Sequence, residues 1–301
     1  MTTERATRRG IILSADDYAI APGVSRAICA LAWRGRLSAT SCMTVSRFWP
    51  EHAGWLRPFA DNVDVGLHLT LTDQEPLRPL PQTAASGRFP SLATLMLWAF
   101  SRRLRAEEIR AELERQIDAF ETAMGRRPAF LDGHQHVHQL PVIRDVVIAL
   151  WKERYAGAGV GIRVCDEPLA AIRARRCHVA AASAISLLGR GLRRAVVKHR
   201  VLANQGFSGA HDFRLRRPYR ALFAKFVENT GSRPLVMCHP GIADADLAAA
   251  DRVTTPREAE YAYFMSGEFA ADLDRLGLRL VRWDGRLVTA PAEQRTSSAS
   301  G

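Results

Sequence analysis

The sequence predicts an α/β protein, a distorted (β/α) barrel, and three observations carry that prediction. Short β-rich runs alternate with segments of helical spacing along nearly the whole chain. No repeat at solenoid periods interrupts them. No glycine-rich phosphate loop follows the first run, where an open doubly wound sheet would usually display one. Such alternation implies parallel pairing, because a parallel strand needs a crossover of about a dozen residues or more. Seven units of this kind fit a closed or nearly closed barrel better than two separate domains.

The β-rich runs fall at 10–15, 38–45, 63–71, 129–132, 161–165, 235–238 and 278–283. The clearest helix spans 106–124, where Ile109, Leu113, Ile117, Phe120 and Met124 recur at three or four and Gly125 supplies a stop. Gly35 and Gly277 end other helices in the same way. One catalytic domain is expected over 10–290, with a basic helical insertion at about 168–220 and tails at 1–9 and 291–301.

Composition narrows the function classes. The chain of 301 residues is 47% hydrophobic, ample for a sizeable core. Its two longest apolar stretches, 92–100 and 179–188, fall well short of the roughly 18 residues of a membrane span. The apolar run at 11–13 is too short for a signal peptide, so a soluble, cytoplasmic protein is expected. Five cysteines, Cys29, Cys42, Cys165, Cys177 and Cys238, form no Cys-x-x-Cys pair and read as thiols of a reducing compartment. The net charge of +11 is local: residues 171–220 hold twelve Arg or Lys and one acid, Asp212, leaving thirty of each elsewhere.

The polar residues that can do chemistry sit where the strands end. Asp16 and Asp17 follow the first run, His68 lies on the third, Asp132 and His134 end the fourth, and His239 ends the sixth. In a β/α barrel those ends converge on one mouth. One aspartate and two histidines there would hold a divalent ion with positions left for water and substrate, and a second aspartate could take a proton from that water. Because successive strand residues face opposite ways, the Asp16-Asp17 pair is expected on a turn. Each residue also has a plainer role: an Asp after a strand caps a helix, and His68 between Leu67 and Leu69 could be a satisfied core histidine. Three alternating histidines, His134, His136 and His138, are costly to bury without purpose.

The segments ILSADDY, VGLHLTL, FLDGHQHVHQLP and VMCHPG, in this order and at these separations, resemble the YdjC-like carbohydrate deacetylases over about 10–283. The resemblance implies a distorted barrel related to the polysaccharide deacetylases and hydrolysis of an N-acetyl group on an amino sugar, in an oligosaccharide or glycolipid. It implies Asp17, His68 and His134 as metal ligands, Asp16 as catalytic base, and His239 as the acid that protonates the leaving amine. Two departures stand out. Asp16-Asp17-Tyr18-Ala19 replaces the family's Asp-Asp-Phe-Gly, and Asp132-Gly133-His134-Gln135-His136-Val137-His138 replaces Asp-Ser-His-His-His-Val-His. The implied ligands survive both. Tyr18, Asp132, His136, His138 and Phe207 are candidate substrate contacts.

One divalent ion is the expected cofactor: Mg or Zn first, with Mn, Fe or Co also suited to the donors. The expected partner is an N-acetylated amino sugar. The segment at 179–202 reads as an amphipathic helix with an Arg-rich end. It is either a cap over the mouth that meets anionic lipid or a lipid-linked sugar at the inner membrane face, or a solvated face of an Arg-biased chain. A homodimer stays open. A metal-dependent amidohydrolase acting on a non-sugar amide is the second enzyme reading, although such enzymes usually present His-x-His on the first strand. An iron oxygenase fits poorly because no His-x-Asp pair is present. Anionic-polymer binding through 171–220 is the non-enzyme reading, and no nucleic-acid module accompanies the charge.

Overall fold

A computed structural model describes residues 8–214 and 216–291. Its strands are β1 (Arg9–Tyr18), β2 (Ala39–Cys42), β3 (Asp64–Leu69), β4 (Phe130–Gly133), β5 (Gly161–Ile162), β6 (Phe207–Ser208), β7 (Leu235–Cys238) and β8 (Leu278–Leu280). They pair in parallel in the order β5-β4-β3-β2-β1-β7-β6, and β8 takes the first residues of β1 while β7 takes the next. The helices are α1 (Pro22–Trp33), α2 (Trp49–Leu56), α3 (Leu92–Phe100), α4 (Ala106–Met124), α5 (Ile143–Tyr155), α6 (Leu169–Arg175), α7 (Val179–Lys198), α8 (Tyr219–Phe226), α9 (Ala245–Ala250), α10 (Thr255–Met265) and α11 (Gly267–Arg275). The expected tails at 1–9 and 291–301 lie mostly outside the described residues; Arg9 already belongs to β1.

The sheet curls into a half-barrel that stays open between β5 and β6. The chain after α7 fills that seam. Ile162 N donates to Leu202 O at 2.8 Å, and Val164 N donates to Asn204 Oδ1 at 2.8 Å while Asn204 Nδ2 donates back to Val164 O. A side-chain amide thus stands in for a strand and satisfies backbone groups that burial would otherwise orphan. This detour explains why α7 stops at Lys198 rather than 202: Arg200 turns into the left-handed region at φ 54° to feed the seam. Strand β6, unforeseen from the sequence, is two residues long between Gly206 and Gly209, both at positive φ. At Gly209 a Cβ would stand 2.1 Å from Met237 O.

Strand parity separates two environments. Ile11, Leu13 and Ala15 of β1, Val65, Leu67 and Leu69 of β3, and Leu131 pack outward with the helices in the main core. Helix α4 buries Ile109, Leu113, Ile117, Phe120 and Met124 there and ends on Gly125 at φ 66°, as its spacing predicts. The alternate residues face the barrel interior. Ile12, Ala39, Phe130, Phe207, Leu235 and Trp283 form its apolar floor. Phe130 stacks on Trp283 at 4.9 Å and crosses the neighbouring strand at Gly66, where a Cβ would meet its ring at 2.4 Å. Gly66→Ala is therefore expected to overpack the floor and cost about 1–3 kcal/mol, read as a lower urea midpoint at unchanged slope.

Candidate functional site

Above that floor the inward positions turn polar. On β1 the inward series Ile12, Ser14, Asp16 would leave Asp17 facing the helices, yet both aspartates reach the interior. The pair lies within the strand, against the expectation of a turn. Pairing with β2 shifts register between Ala15 and Tyr18, and Asp17 takes φ 64°. This bulge re-aims one side chain, so adjacent residues face the same cavity. Asp and Asn tolerate that left-handed conformation better than other non-glycine residues.

Register places the next members. His68 on β3 pairs with Asp132 on β4, and His68 Nδ1 lies 2.7 Å from Asp132 Oδ1. Ser41 on β2 donates to the same carboxylate oxygen. With Nδ1 engaged, His68 presents Nε2 to the cavity, 3.3 Å from Asp17 Oδ1. His134 follows β4 in a 3-10 turn, its Nδ1 2.9 Å from Asp17 Oδ1. Gln135 and His136 turn left-handed there at φ 52° and 63°, and Gly133 admits His138, whose backbone N would lie 2.9 Å from an added Cβ.

Two buried arginines brace the carboxylates. Arg163, fully buried, grips Asp16 with Nη1 to Oδ2 and Nη2 to Oδ1, both at 2.6 Å, and its Nη2 lies 2.7 Å from Asp132 Oδ2. His138 Nε2 donates to the Arg163 carbonyl at 3.0 Å. Arg257, from α10, donates to Asp17 Oδ2 at 2.6 Å and also holds Asp251. His239 ends β7; its backbone N donates to Glu260 Oε2 at 2.6 Å, and the other oxygen of Glu260 binds His211 Nε2 at 3.0 Å. The His239 ring Nδ1 is buried without a partner among the described residues.

The charges do not cancel: Asp16, Asp17 and Asp132 face Arg163 and Arg257. Burial alone would raise the Asp17 carboxyl, yet the Arg257 charge and the His134 and His68 contacts hold it well below the usual range. Burial would lower the His68 imidazole, but Asp132 and Asp17 lift it to about 10. The pocket thus draws a positive charge to the point between Asp17 and His68. Asp17, His68 and His134 bring one donor each within 4.8 Å of one another. Separations of 2.9 and 3.3 Å match donors spaced about 3 Å apart around one ion bonded at about 2.0–2.2 Å. The residues fit a divalent cation, and Asp132 and Arg257 would orient its ligands.

Burial lowers two further cavity histidines: His136 falls well below its ordinary value, and His239 is lowered despite the opposing charge of Asp17. The site opens on a cavity of about 820 Å³. The structure brings Asp16, Asp17, His68, His134, His136 and His239 to its wall. The other expected substrate contacts lie behind that wall. Tyr18 turns into the core and donates to His52 O at 2.7 Å. Asp132 braces His68, and His138, fully buried, is lowered by burial to about 4. Phe207 lies in the apolar floor, edge-on to His136 at 5.5 Å. The basic segment contributes His178, Ala181, Ile185, Ala210, His211 and Phe213 to the cavity and none of its arginines. Arg190 and Arg194 of α7 face solvent.

Sequence reasoning missed Arg163, Arg257 and Glu260. Arg163 carried a signal: a lone charge inside the β-rich run at 161–165 must be buried and paired. The other two lie on a helix with no distinguishing pattern. Arg163→Met should leave Asp16 and Asp132 without their shared cation, and a loss of about 3–5 kcal/mol in unfolding free energy is expected by urea titration.

Comparison with known proteins identifies the family of the chain. Residues 10–275 match the family model described as YdjC-like protein. A chitooligosaccharide deacetylase of Klebsiella pneumoniae (strain 342) is 28% identical over 278 residues, covering 90% of this chain and 97% of that protein. One from Escherichia fergusonii is 27% identical over 242 residues, covering 78% and 83%. A solved structure from Enterococcus faecalis V583, whose name proposes cellobiose-phosphate cleavage, superposes with a TM-score of 0.70 at 21% identity over 92% of this chain and 98% of that one. With the family model matching most of its length, the chain belongs to the YdjC-like protein family.

Proposed function

We propose that the protein is a metal-dependent hydrolase that removes the N-acetyl group from an N-acetylglucosamine-type sugar, in an oligosaccharide or glycolipid, and releases acetate. One observation carries the reading: Asp17, His68 and His134 converge as a ligand set directly beside Asp16, whose two oxygens are gripped by Arg163. The curated relatives named chitooligosaccharide deacetylase support the same chemistry, one of them aligning over 90% of this chain.

A divalent ion at this site would supply a water of lowered pKa and polarise the acetyl carbonyl. Nitrogen and carboxylate donors together suit Zn, Mn, Fe or Co, and Mg where waters complete the shell. Asp16 takes a proton from the attacking water, and the Arg163 fork keeps its carboxylate from rotating away. The water oxygen bonds to the acetyl carbon to give a tetrahedral adduct, whose carbon–nitrogen bond then breaks. His239, on the cavity wall, passes the proton taken by Asp16 on to the departing nitrogen, which would otherwise leave as a very poor anion. Water is consumed, and acetate and a free amino sugar result. The cavity of about 820 Å³ admits a sugar ring with its neighbour.

Acetate release from metal-loaded protein, measured over a panel of soluble and lipid-linked N-acetylglucosamine compounds, tests the reading. Release from none of them would favour a non-sugar amide as substrate. Asp16→Asn is expected to lower kcat by about 10²–10⁴-fold at unchanged metal content, whereas His68→Ala and His134→Ala should lose the metal as well, read by elemental analysis. Because His68 is protonated near neutral pH without metal, loading at pH 7.5 should release about one proton per ion. Affinity should then rise about tenfold per pH unit below that pKa; calorimetry in buffers of different ionisation enthalpy measures the proton.

A further inference from the structure

Helix α3 is apolar on every face, yet only one face is covered. Leu95 and Ala99 are fully buried and Leu92, Met96 and Trp98 pack partly on the core. On the opposite side Leu97 is 62% exposed and Phe100 56% exposed, in line with exposed Ala93 at positions i, i+4 and i+7. Among the described residues this is the only place where two large exposed apolar side chains lie within one helical turn. An all-round apolar helix is normally buried on all sides, so this face calls for a partner. No helix among the described residues is long and apolar enough to cross a membrane, so α3 can lie on a bilayer but not span it.

The surrounding charge selects the partner. No acid occurs between Leu92 and Ala106, while Arg102, Arg103 and Arg105 follow the helix and are exposed. The Arg102 and Arg103 side chains make no hydrogen bond or ion pair among the described residues, and Arg105 reaches only Gln82, at 2.7 Å. A second copy docked through the same patch would set these arginines against their own counterparts. An anionic surface attracts them, and a bulky apolar stripe next to arginines is the composition of a helix lying in a lipid interface. We infer that α3 docks the protein on an anionic lipid bilayer, with Leu97 and Phe100 entering the apolar boundary and Arg102 and Arg103 meeting headgroups. Ser91 caps the helix and lines the catalytic cavity. Docking therefore holds one rim of the cavity at the membrane, whichever amide the site hydrolyses.

The test is co-sedimentation of the full chain with vesicles of phosphatidylcholine alone or with 30% phosphatidylglycerol (about one lipid in three, enough to set a negative surface potential). The expected result is binding to the anionic vesicles only, weakened at least about tenfold by the double variant Leu97→Glu with Phe100→Glu and severalfold by Arg102→Ala with Arg103→Ala or by high salt. Unchanged melting temperatures would show that the variants fold. Leu187→Glu, on the exposed face of α7, should bind as the unsubstituted chain does. The inference is overturned if the unsubstituted chain ignores anionic vesicles, if the α3 double variant binds undiminished, or if Leu187→Glu alone removes binding. It is equally overturned if light scattering shows a dimer that the α3 variant splits. None of these outcomes depends on acetate release, so docking and the deacetylase reading can fail separately.

Discussion

The structure is organised around a buried charge problem. Asp16, Asp17 and Asp132 stand almost without solvent at the mouth of a parallel half-barrel. Each buried ion costs several kcal/mol to desolvate unless a partner meets it at close range. Arg163 answers two of the three and Arg257 the third. The remaining imbalance falls on His68, whose imidazole is pushed far towards its charged form. The same charge pattern suits the divalent cation that Asp17, His68 and His134 could hold between them.

Several local peculiarities read as solutions to that problem. The bulge at Asp17 puts two adjacent carboxylates on one side of a strand, where ordinary pleating would separate them. The left-handed pair Gln135 and His136 turns the chain after β4 sharply enough to bring His134 and His136 to the same cavity and to send His138 behind Arg163. Strain of this kind survives where surrounding contacts over-determine the conformation. Glu260 ties together the segments that follow two neighbouring strands, since one oxygen holds His239 after β7 and the other holds His211 after β6.

The open seam between β5 and β6 gives the Arg-rich excursion its place. Residues leaving α7 return through the seam on Asn204, so α7 is anchored beside the mouth and lends it Ala181 and Ile185 while its arginines stay outside. Clustered charge in the linear sequence thus marks the outer face of a wall whose inner face is largely apolar. The compensating Arg-to-acid pairs of the site come from elsewhere, one from the residue after β5 and one from α10.

Much of this was legible in the linear chain. Periodicity located α4 to the residue and seven of the eight strands, because apolar spacing records which face is buried. The placement of Asp16, Asp17, His68, His134 and His239 at strand ends was enough to draw them to one mouth, since parallel β/α units deliver every strand end to the same side. Two-residue β6, the seam closed by Asn204, the separation of His136 from His138 and the burial of Tyr18 were not legible, because each depends on which surface a neighbouring segment happens to cover. The sequence by itself determined that Asp16, Asp17, His68, His134 and His239 would meet at the mouth. Only the tertiary structure decided which carboxylate each arginine holds and which histidine nitrogen is left free, because those choices depend on distances of a few tenths of an ångström between strands that periodicity does not record.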